Sequence, residues 1–468
     1  MSRLRGDVDA EYFGADFGDE RLDRRLVELS RLVSVEPEAT FPIAAGNDAD
    51  LEATYRFLNN ERVTAAQILE PHVGATVRRV LKAGEVVVAH DTTEFNFGSS
   101  PRVDLGRVGL GKSHGFYGHF GLAVARSDRR PLGILGLRVH ERHGGKGKRG
   151  HKALQSAEDN ESRRWAESVD RIENLLGKGT AVHVMDREGD SYSLMAELVR
   201  VGARFVVRMA SAKRQVDGDA NTVGETLDRA SVIAEREVPI GARGQSKFPS
   251  YRKHFPERHS RLARLEVTAA RVSVMRPASS SHSPAKRLEL NAVRVFEPAP
   301  PMGEPPVEWR LWTTEPVETA EQVLAAVDAY RCRWRIEEYF KALKSGCAIE
   351  KRQLESSAGL QNVVALFAPI AWRLLDIRTV SRDAAATPAE QVLTKVQLTC
   401  LRLALKNRRR SPLPANPTAR DAMLGIAGLG GHIKNNGDPG WIVLGRGLEK
   451  LLAFEEGYRL ATAQQEEM

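Results

Sequence analysis

Two short stretches decide the fold: residues 85–91, EVVVAHD, and residues 181–186, AVHVMD. Both are apolar runs rich in β-branched residues, the pattern of a strand buried inside a sheet. Each run ends in an aspartate, Asp91 in the first and Asp186 in the second. Because active-site residues gather at the carboxyl ends of such strands, the two aspartates are candidate catalytic residues.

Further strands and helices alternate around these two runs. The pattern predicts strands over Phe120–Ala125, Leu132–His140 and Arg204–Arg208, and helices over Ala153–Leu176 and Ser193–Val201. Such alternation is typical of an α/β layer, here with a mixed sheet. We therefore predict an α/β fold class whose mixed sheet carries both aspartates.

The first seventy residues read as short helices. Asp19 can cap a helix whose Leu22, Leu26, Leu29 and Val33 share one face, while four arginines remain on the other. A second helix is expected over Leu51–Leu58 and a third after Thr64. An arginine-covered face suits DNA phosphates, and an ordinary solvated face explains it equally well.

The alternation stops between residues 212 and 306. Strands are predicted over Val267–Val274 and Leu288–Val295, and a basic segment precedes them. Its cations and aromatic residues are Arg243, Lys247, Phe248, Tyr251, Arg252, Lys253, Phe255, Arg258, Arg261 and Arg264. This combination is typical of a β-rich insertion whose edge contacts DNA. A flexible basic loop is the competing interpretation.

The remaining third of the chain is read as one strand followed by helices. Trp309–Thr314 is a predicted strand, after which Thr319 and Gln322 have the spacing of a capping box. A long helix is expected from there, and the last hundred residues are read as mostly helical.

Bulk composition limits the class of protein. The 468 residues carry a net charge of +8, which favours a polyanionic partner, and no segment reads as a membrane span or a signal peptide. The three scattered cysteines argue against disulfides and zinc. His140, His143 and His151 are better explained by a solvated basic loop than by a metal site.

The most informative segment is residues 330–344, YRCRWRIEEYFKALK. At about 100° per residue, a continuous helix places five residues on one face. These are Tyr330, Arg333, Glu337, Lys341 and Lys344. Glu337 is then centred among cations, whereas Glu338 points about 100° away. A salt-bridge ladder on an exposed helix is the alternative interpretation.

Three carboxylates from distant parts of the chain repel one another unless cations lie between them. Two Mg²⁺ ions held by Asp91, Asp186 and Glu337 would satisfy this requirement. Such ions can activate a water or a DNA 3′-hydroxyl and stabilise the leaving oxygen, and Mn²⁺ can substitute for Mg²⁺. No organic cofactor is expected.

The chain resembles the IS4-type DDE transposases, and among them the Tn5-like enzymes. Tyr330, Arg333, Glu337 and Lys344 match the Y-x2-R-x3-E-x6-K signature of that family, with Lys341 as its usual extra lysine. The segments HDTT at 90–93 and MDRE at 185–188 resemble its two aspartate motifs. Weaker similarity occurs at RFVVR, 204–208, and TEPVE, 314–318.

This resemblance implies a fold and a domain order. The fold would be an RNase H-like (retroviral-integrase-like) catalytic core with helical regions at both ends. Residues 1–70 would bind the transposon end, 71–365 would form the catalytic domain with its insertion at about 212–306, and 366–468 would mediate dimerisation.

The resemblance also implies an activity: cut-and-paste transposition by a homodimer that pairs two double-stranded DNA ends, cleaves them through a DNA hairpin, and joins them to target DNA. Arg187 and Arg208 resemble DNA contacts, and Trp309 resembles an aromatic residue near a flipped base. At Trp309 and Trp312 a simple core role is equally compatible. A bacterial cytoplasmic, nucleoid-associated protein is expected.

Two other functions compete with this one. A tyrosine recombinase would use Tyr330 as its nucleophile, but it needs an Arg/His cluster that the sequence lacks and would leave both aspartates without a role. An inactive transposase that only occupies transposon ends would keep the DNA-binding residues. The presence of all three carboxylates argues against it.

Overall fold

The computed structural model describes residues 9–466, except 36, 38, 99–103, 110–112, 143–160, 219–220, 246–248, 250–251, 253–255, 282, 409 and 434–437. Several predicted features lie outside the described residues: His143, His151, the start of the helix predicted from Ala153, and Lys247, Phe248, Tyr251, Lys253 and Phe255. Within the described part of the chain, no helix is long and apolar enough to cross a membrane.

Helices dominate both ends of the chain. The described α-helices are α1 (Glu20–Val35), α2 (Phe41–Ala45), α3 (Asp48–Leu58), α4 (Ala65–Ala83), α5 (Glu161–Leu176), α6 (Tyr192–Val201), α7 (Val223–Arg229), α8 (Ala320–Arg331), α9 (Trp334–Lys341), α10 (Ser357–Asp383), α11 (Lys395–Asn407), α12 (Ala419–Leu429) and α13 (Trp441–Glu466).

Strands occupy the middle of the chain. They are β1 (Val86–Asn96), β2 (Gly106–Arg107), β3 (His114–Ala125), β4 (Pro131–His140), β5 (Ala181–Met185), β6 (Arg204–Arg208), β7 (Val232–Ile240), β8 (Arg261–Met275), β9 (Arg287–Phe296) and β10 (Glu308–Thr313). The strand and helix predictions for residues 120–140 and 181–208 are confirmed, as are the strands predicted within β8 and β9. β7 was not predicted.

The chain packs into two compact units. Unit 1 consists of residues 1–86, 91–150 and 334–468, and unit 2 consists of residues 87–90 and 151–333. The segments 1–70 and 366–468 therefore both belong to unit 1.

Unit 1 joins helices to an antiparallel group of strands. β3 pairs with β2 on one side and carries β4 as a further partner, and the Asp91–Asn96 part of β1 continues this group. The predicted strand was expected to end at Asp91. It instead extends to Asn96, because Thr92, Thr93 and Phe95 are themselves good strand formers.

Local sequence signals begin the amino-terminal helices of unit 1. Leu26, Leu29 and Val33 of α1 are buried. Asn47 caps α3 by accepting a hydrogen bond from Asp50 N–H at 2.9 Å. Thr64 and Gln67 form a complete capping box at the start of α4.

Unit 2 contains a mixed sheet. The Val87–His90 part of β1 lies beside β5, β5 pairs with β6 in parallel, and β6 pairs with β10 antiparallel. β10, β9, β8 and β7 then follow as an antiparallel series. The predicted β-rich segment between 212 and 306 supplies β7, β8 and β9.

Described cations of the basic segment are partly neutralised by acidic partners. Arg261 forms ion pairs with Glu297 at 2.7 Å and with Glu304, and Arg264 pairs with Glu235 at 2.6 Å. These two arginines therefore contribute less positive charge to the edge of the insertion than the sequence suggests.

A buried polar cluster anchors the start of the chain to unit 1. Glu11 accepts hydrogen bonds from His72 Nδ1 at 2.6 Å and from Arg79 Nη1 at 2.7 Å, while His72 Nε2 accepts one from Ile134 N–H at 3.0 Å. Burial raises the pKa of Glu11, but His72 and Arg79 outweigh it and lower the pKa to about 2. Burial lowers the pKa of His72.

We expect Glu11→Gln to destabilise the protein most at neutral pH. A carboxylate with a depressed pKa stabilises the fold above its unfolded value, near 4.5, and loses that contribution as the pH falls towards 2. The shift corresponds to about 3 kcal/mol. Urea unfolding of wild type and variant from pH 7 to pH 3 measures the difference, which should shrink below about pH 4.5. A difference independent of pH would contradict the assignment.

Candidate functional site

Asp186 lies where β5 ends, as the sequence predicts. All five residues of β5 are buried, and the half-buried Asp186 follows in extended backbone at the start of a short 3-10 helix, Arg187–Gly189. Its Oδ1 accepts a hydrogen bond from Glu188 N–H at 2.8 Å. The next side chains, Arg187 and Glu188, are exposed.

Asp91 lies within β1 rather than at its end. It is half-buried and shares one face of the strand with Thr93 and Phe95. Phe95 packs near Phe120 of β3, with ring centroids 6.3 Å apart. Phe120 in turn lies 5.5 Å from Tyr339 of α9. Asp91 therefore points to the face of unit 1 on which α9 packs.

Glu337 belongs to α9, in the same unit as Asp91. Its side chain is half-buried, while Tyr339 next to it in the helix is fully buried. The helix is thus held by its apolar face, as predicted, and leaves Glu337 accessible.

The predicted continuous helix over residues 330–344 is wrong. α8 ends at Arg331, a turn at Cys332 and Arg333 follows, and α9 begins at Trp334. After Lys341 the helix widens into a π-helical turn, Ala342–Gly346. A π turn changes the angle per residue, so the single 100° projection of five residues onto one face does not hold.

Glu338, the competing carboxylate, is bound in ion pairs. It is only 8% exposed, and its two oxygens accept hydrogen bonds from Arg335 at 2.7 Å and from Arg382 at 2.8 Å. Both oxygens already have cationic partners inside the protein. Glu337, which is half-buried, is more exposed to solvent than Glu338.

The two lysines of the segment differ in accessibility. Lys341 is exposed. Lys344 is half-buried, donates a hydrogen bond to the carbonyl oxygen of Glu94, and lies 3.3 Å from Glu350 Oε1. Lys344 thus already ties the π-helical turn to β1, which sequence spacing could not show.

Tyr330 and Trp309 meet in unit 2. Their ring centroids are 5.6 Å apart in an edge-to-face arrangement, and Trp309 is half-buried on β10. The hydroxyl of Tyr330 is buried and has no hydrogen-bond partner among the described residues. Arg333 is also buried, with its guanidinium 5.9 Å from the Tyr330 ring.

Trp312 and Arg208 complete the predicted residues of unit 2. Trp312 is fully buried and donates a hydrogen bond to Asp190 at 3.1 Å, which confirms the core interpretation for this tryptophan. Burial raises the pKa of Asp190, against the nearby Arg214. Arg208 is half-buried at the end of β6.

Trp334 is a candidate that the sequence reasoning missed. Its side chain is 55% exposed at the first position of α9, and Lys341 Nζ lies 5.7 Å from its ring. An exposed aromatic face beside a cation is an arrangement that binds nucleic-acid bases. The only signal in the sequence was its position within the 330–344 segment.

The donor chemistry of the predicted carboxylates fits a hard divalent cation. Asp91, Asp186 and Glu337 offer oxygen ligands on half-buried side chains. No group of three His, Cys, Asp or Glu side chains in the described part of the chain is arranged to hold a metal ion. The three carboxylates therefore fit a divalent cation in the type of donor atom and in their exposure to solvent.

Comparison with known proteins matches two parts of the chain to transposase families. Residues 7–63 match the transposase DNA-binding family, and residues 150–368 match the transposase DDE domain family. The second match contains Asp186 and Glu337 and begins after Asp91.

One similar solved structure is a piggyBac transposase synaptic complex with hairpin DNA, at 10% sequence identity and a TM-score of 0.32, covering 78% of this chain and 67% of that one. The chain therefore carries a transposase DNA-binding region followed by a transposase DDE domain, and it is an enzyme that cleaves DNA.

Proposed function

We propose that this enzyme performs cut-and-paste transposition: it binds the ends of a transposon, excises it, and joins the 3′-hydroxyl ends to target DNA. Asp91, Asp186 and Glu337 are its catalytic residues. The single observation that carries this proposal is the match of residues 150–368, which contain Asp186 and Glu337, to the transposase DDE domain family. Within α9, half-buried Glu337 is more exposed than Glu338, which is 8% exposed and bound by Arg335 and Arg382.

The cofactor we propose is a pair of Mg²⁺ ions, for which Mn²⁺ can substitute. DDE transposase domains generally use divalent metal ions. When bound, such ions activate the attacking oxygen and stabilise the leaving one in phosphoryl transfer. The protein contributes hard carboxylate ligands from β1, from the end of β5 and from α9.

Cations and aromatic rings of both units would hold the DNA. We assign phosphate contacts to Arg333, Lys341, Lys344, Arg187 and Arg208. Lys341 and Arg187 are the most exposed of these cations. They are the best suited to bind DNA, because a surface cation can pair with phosphate without breaking an internal contact.

Aromatic groups would act on the bases. The buried Tyr330 hydroxyl can donate to a DNA oxygen. Trp309, beside Tyr330, offers a ring on which an unpaired base at a hairpin can stack. Exposed Trp334 offers a second ring of the same kind.

Domain roles follow the proposed activity. Residues 1–70 would bind the transposon end, 71–365 would form an RNase H-like catalytic domain with its β-rich insertion, and 366–468 would mediate homodimerisation on paired ends. We further propose that the protein is an IS4-type, Tn5-like transposase that acts on the bacterial nucleoid.

Cleavage of a plasmid carrying the element's own ends tests this function. Wild-type protein is incubated with Mg²⁺, with Mn²⁺ or with EDTA, and the products are resolved on denaturing gels that separate hairpin from open ends. We expect double-strand excision through a hairpin with either metal and none with EDTA. Binding of the ends without cutting in Mg²⁺ would instead favour a catalytically inactive protein that only occupies transposon ends.

The salt dependence of end binding tests the cation assignments. Replacing exposed Lys341 with alanine should reduce the slope of log K against log salt concentration by about 1, because one phosphate contact is lost. Lys178, an exposed lysine of unit 2 that we do not assign to DNA, serves as the matched control. Fluorescence anisotropy with labelled end DNA measures both. Equal slopes for the Lys341→Ala and Lys178→Ala variants would remove Lys341 from the interface.

A further inference from the structure

Three buried side chains of unit 2 form a chain of hydrogen bonds that joins β1, β5 and α5. His90 Nε2 lies 2.8 Å from His183 Nδ1, and His183 Nε2 lies 2.9 Å from Glu173 Oε1. The second carboxylate oxygen of Glu173 accepts a hydrogen bond from Gly179 N–H at 2.6 Å. Both histidines are fully buried, and Glu173 is 2% exposed. We call these three side chains the histidine relay.

The carboxylate sets the direction of the hydrogen bonds at one end of the relay. Burial raises the pKa of Glu173, but the hydrogen bonds from His183 and Gly179 outweigh it and lower the pKa. The ionised carboxylate can only accept, so His183 Nε2 and Gly179 N–H both donate to it. At the other end, one of the two nitrogens His90 Nε2 and His183 Nδ1 donates to the other.

All hydrogen bonds of the relay can form only when β1, β5 and α5 are in register. Because side chains alternate between the faces of a strand, a slip of one residue in β1 would turn His90 away from His183. The contact between His90 Nε2 and His183 Nδ1 would then be lost inside the protein, where an unpaired polar atom is costly because the local dielectric is low. The relay therefore fixes β1 against β5 and α5 within unit 2.

Its position in the sequence links the relay to the catalytic aspartates. His90 directly precedes Asp91, and His183 lies three residues before Asp186. Both spacings are odd, so the aspartates point to the faces opposite the histidines. The relay can thus hold the backbone that carries both aspartates without occupying the space of a ligand.

We propose that the histidine relay is a positioning device that sets Asp91 and Asp186 for metal binding, an inference that rests on the function proposed above. None of its members would touch metal or DNA. Groups that orient metal ligands from behind typically change metal affinity by about 10- to 100-fold when they are replaced.

Glu173→Gln tests this role, because it keeps the shape of the side chain. The amide nitrogen of glutamine is itself a donor, and it must then face another donor, either Gly179 N–H or His183 Nε2–H. One hydrogen bond of the relay is therefore lost or has to change direction. His183→Leu removes both histidine hydrogen bonds and serves as the second variant. Tyr192→Phe is the matched control, since it removes a hydrogen bond to Ala285 O, 3.0 Å long, in the same unit.

The primary readout is binding of Mn²⁺ alone to the full-length protein without DNA, measured by the electron paramagnetic resonance signal of free Mn²⁺. We expect Glu173→Gln to weaken Mn²⁺ binding by about tenfold or more, while Tyr192→Phe leaves it unchanged. In the plasmid assay, Glu173→Gln should raise the half-maximal Mg²⁺ concentration by a similar factor. Its rate at saturating Mg²⁺ should stay within about threefold of wild type.

Asp186→Asn separates failure of this inference from failure of the proposed function. Loss of Mn²⁺ binding in Asp186→Asn, with wild-type affinity in folded Glu173→Gln and His183→Leu, would overturn the positioning role alone. Wild-type Mn²⁺ affinity in Asp186→Asn would overturn the metal site itself. Equal losses of affinity in Glu173→Gln and Tyr192→Phe would reduce the relay to a general contribution to stability.

Discussion

Replacing Glu337 with glutamine is expected to slow DNA cleavage by about a thousandfold or more while leaving end binding within a few-fold of wild type. A metal ligand contributes several kcal/mol to transition-state stabilisation, and each 1.4 kcal/mol corresponds to a tenfold change in rate. Glutamine keeps the size of the side chain but loses its charge, so the packing of α9 is retained. Single-turnover cleavage of end DNA, with binding measured on the same preparations, gives both numbers.

The neighbouring residue supplies the control. Glu338→Gln makes the same chemical change one position along the helix, but it breaks the buried ion pairs with Arg335 and Arg382. We expect it to lower the unfolding temperature and to leave the rate of the folded enzyme within about tenfold of wild type. If Glu337→Gln cleaves normally and folded Glu338→Gln does not, the third catalytic carboxylate is Glu338.

The second large effect concerns stability. Asp376 is almost fully buried in α10, where Arg130 donates to both of its oxygens at 2.6 Å and 2.8 Å, and Arg373 contacts it at 3.3 Å. Burial lowers the pKa of Arg373 to about 10, against the attraction of Asp376. Asp376→Asn would leave the buried guanidinium of Arg373 and the partly buried one of Arg130 without their counter-ion, and we expect a loss of about 3–5 kcal/mol in unfolding free energy.

Urea denaturation followed by circular dichroism measures this loss, and a surface ion pair gives the comparison. Asp438 pairs with Arg420 at 2.5 Å, and their side chains are 47% and 33% exposed. Because exposed pairs contribute little, Asp438→Asn should cost less than about 1 kcal/mol. Similar losses for the two variants would mean that the Asp376 cluster is compensated by water or by rearrangement.

The sequence predicted the parts of the site that depend on local patterns. β5 and its terminal aspartate follow from an apolar run of five residues. The helix cap at Thr319 follows from Gln322, three residues later in the sequence. Such signals act over one turn or one strand, which is why they can be read without the rest of the chain.

Features set by distant residues could not be predicted. The segment from Thr319 to Lys344 contains no glycine or proline to mark the break at Cys332–Arg333, so local propensity favours one helix. Glu338 is neutralised partly by Arg382, 44 positions further along the chain. Lys344 is held by the backbone of Glu94, 250 positions earlier. Tertiary contacts decide each of these cases.

The division of the chain also has a consequence for the order in which the protein matures during synthesis. Along the sequence, the segments of unit 2 lie between segments of unit 1. The last part of unit 1, residues 334–468, is therefore translated after all of unit 2. At about 5–20 residues per second, the synthesis of these residues takes roughly 7 to 27 seconds. The segment with Asp91 is made early, and Glu337 joins it only in this final period. A ribosome that stops before residue 334 therefore releases a chain that lacks Glu337 and a large part of unit 1.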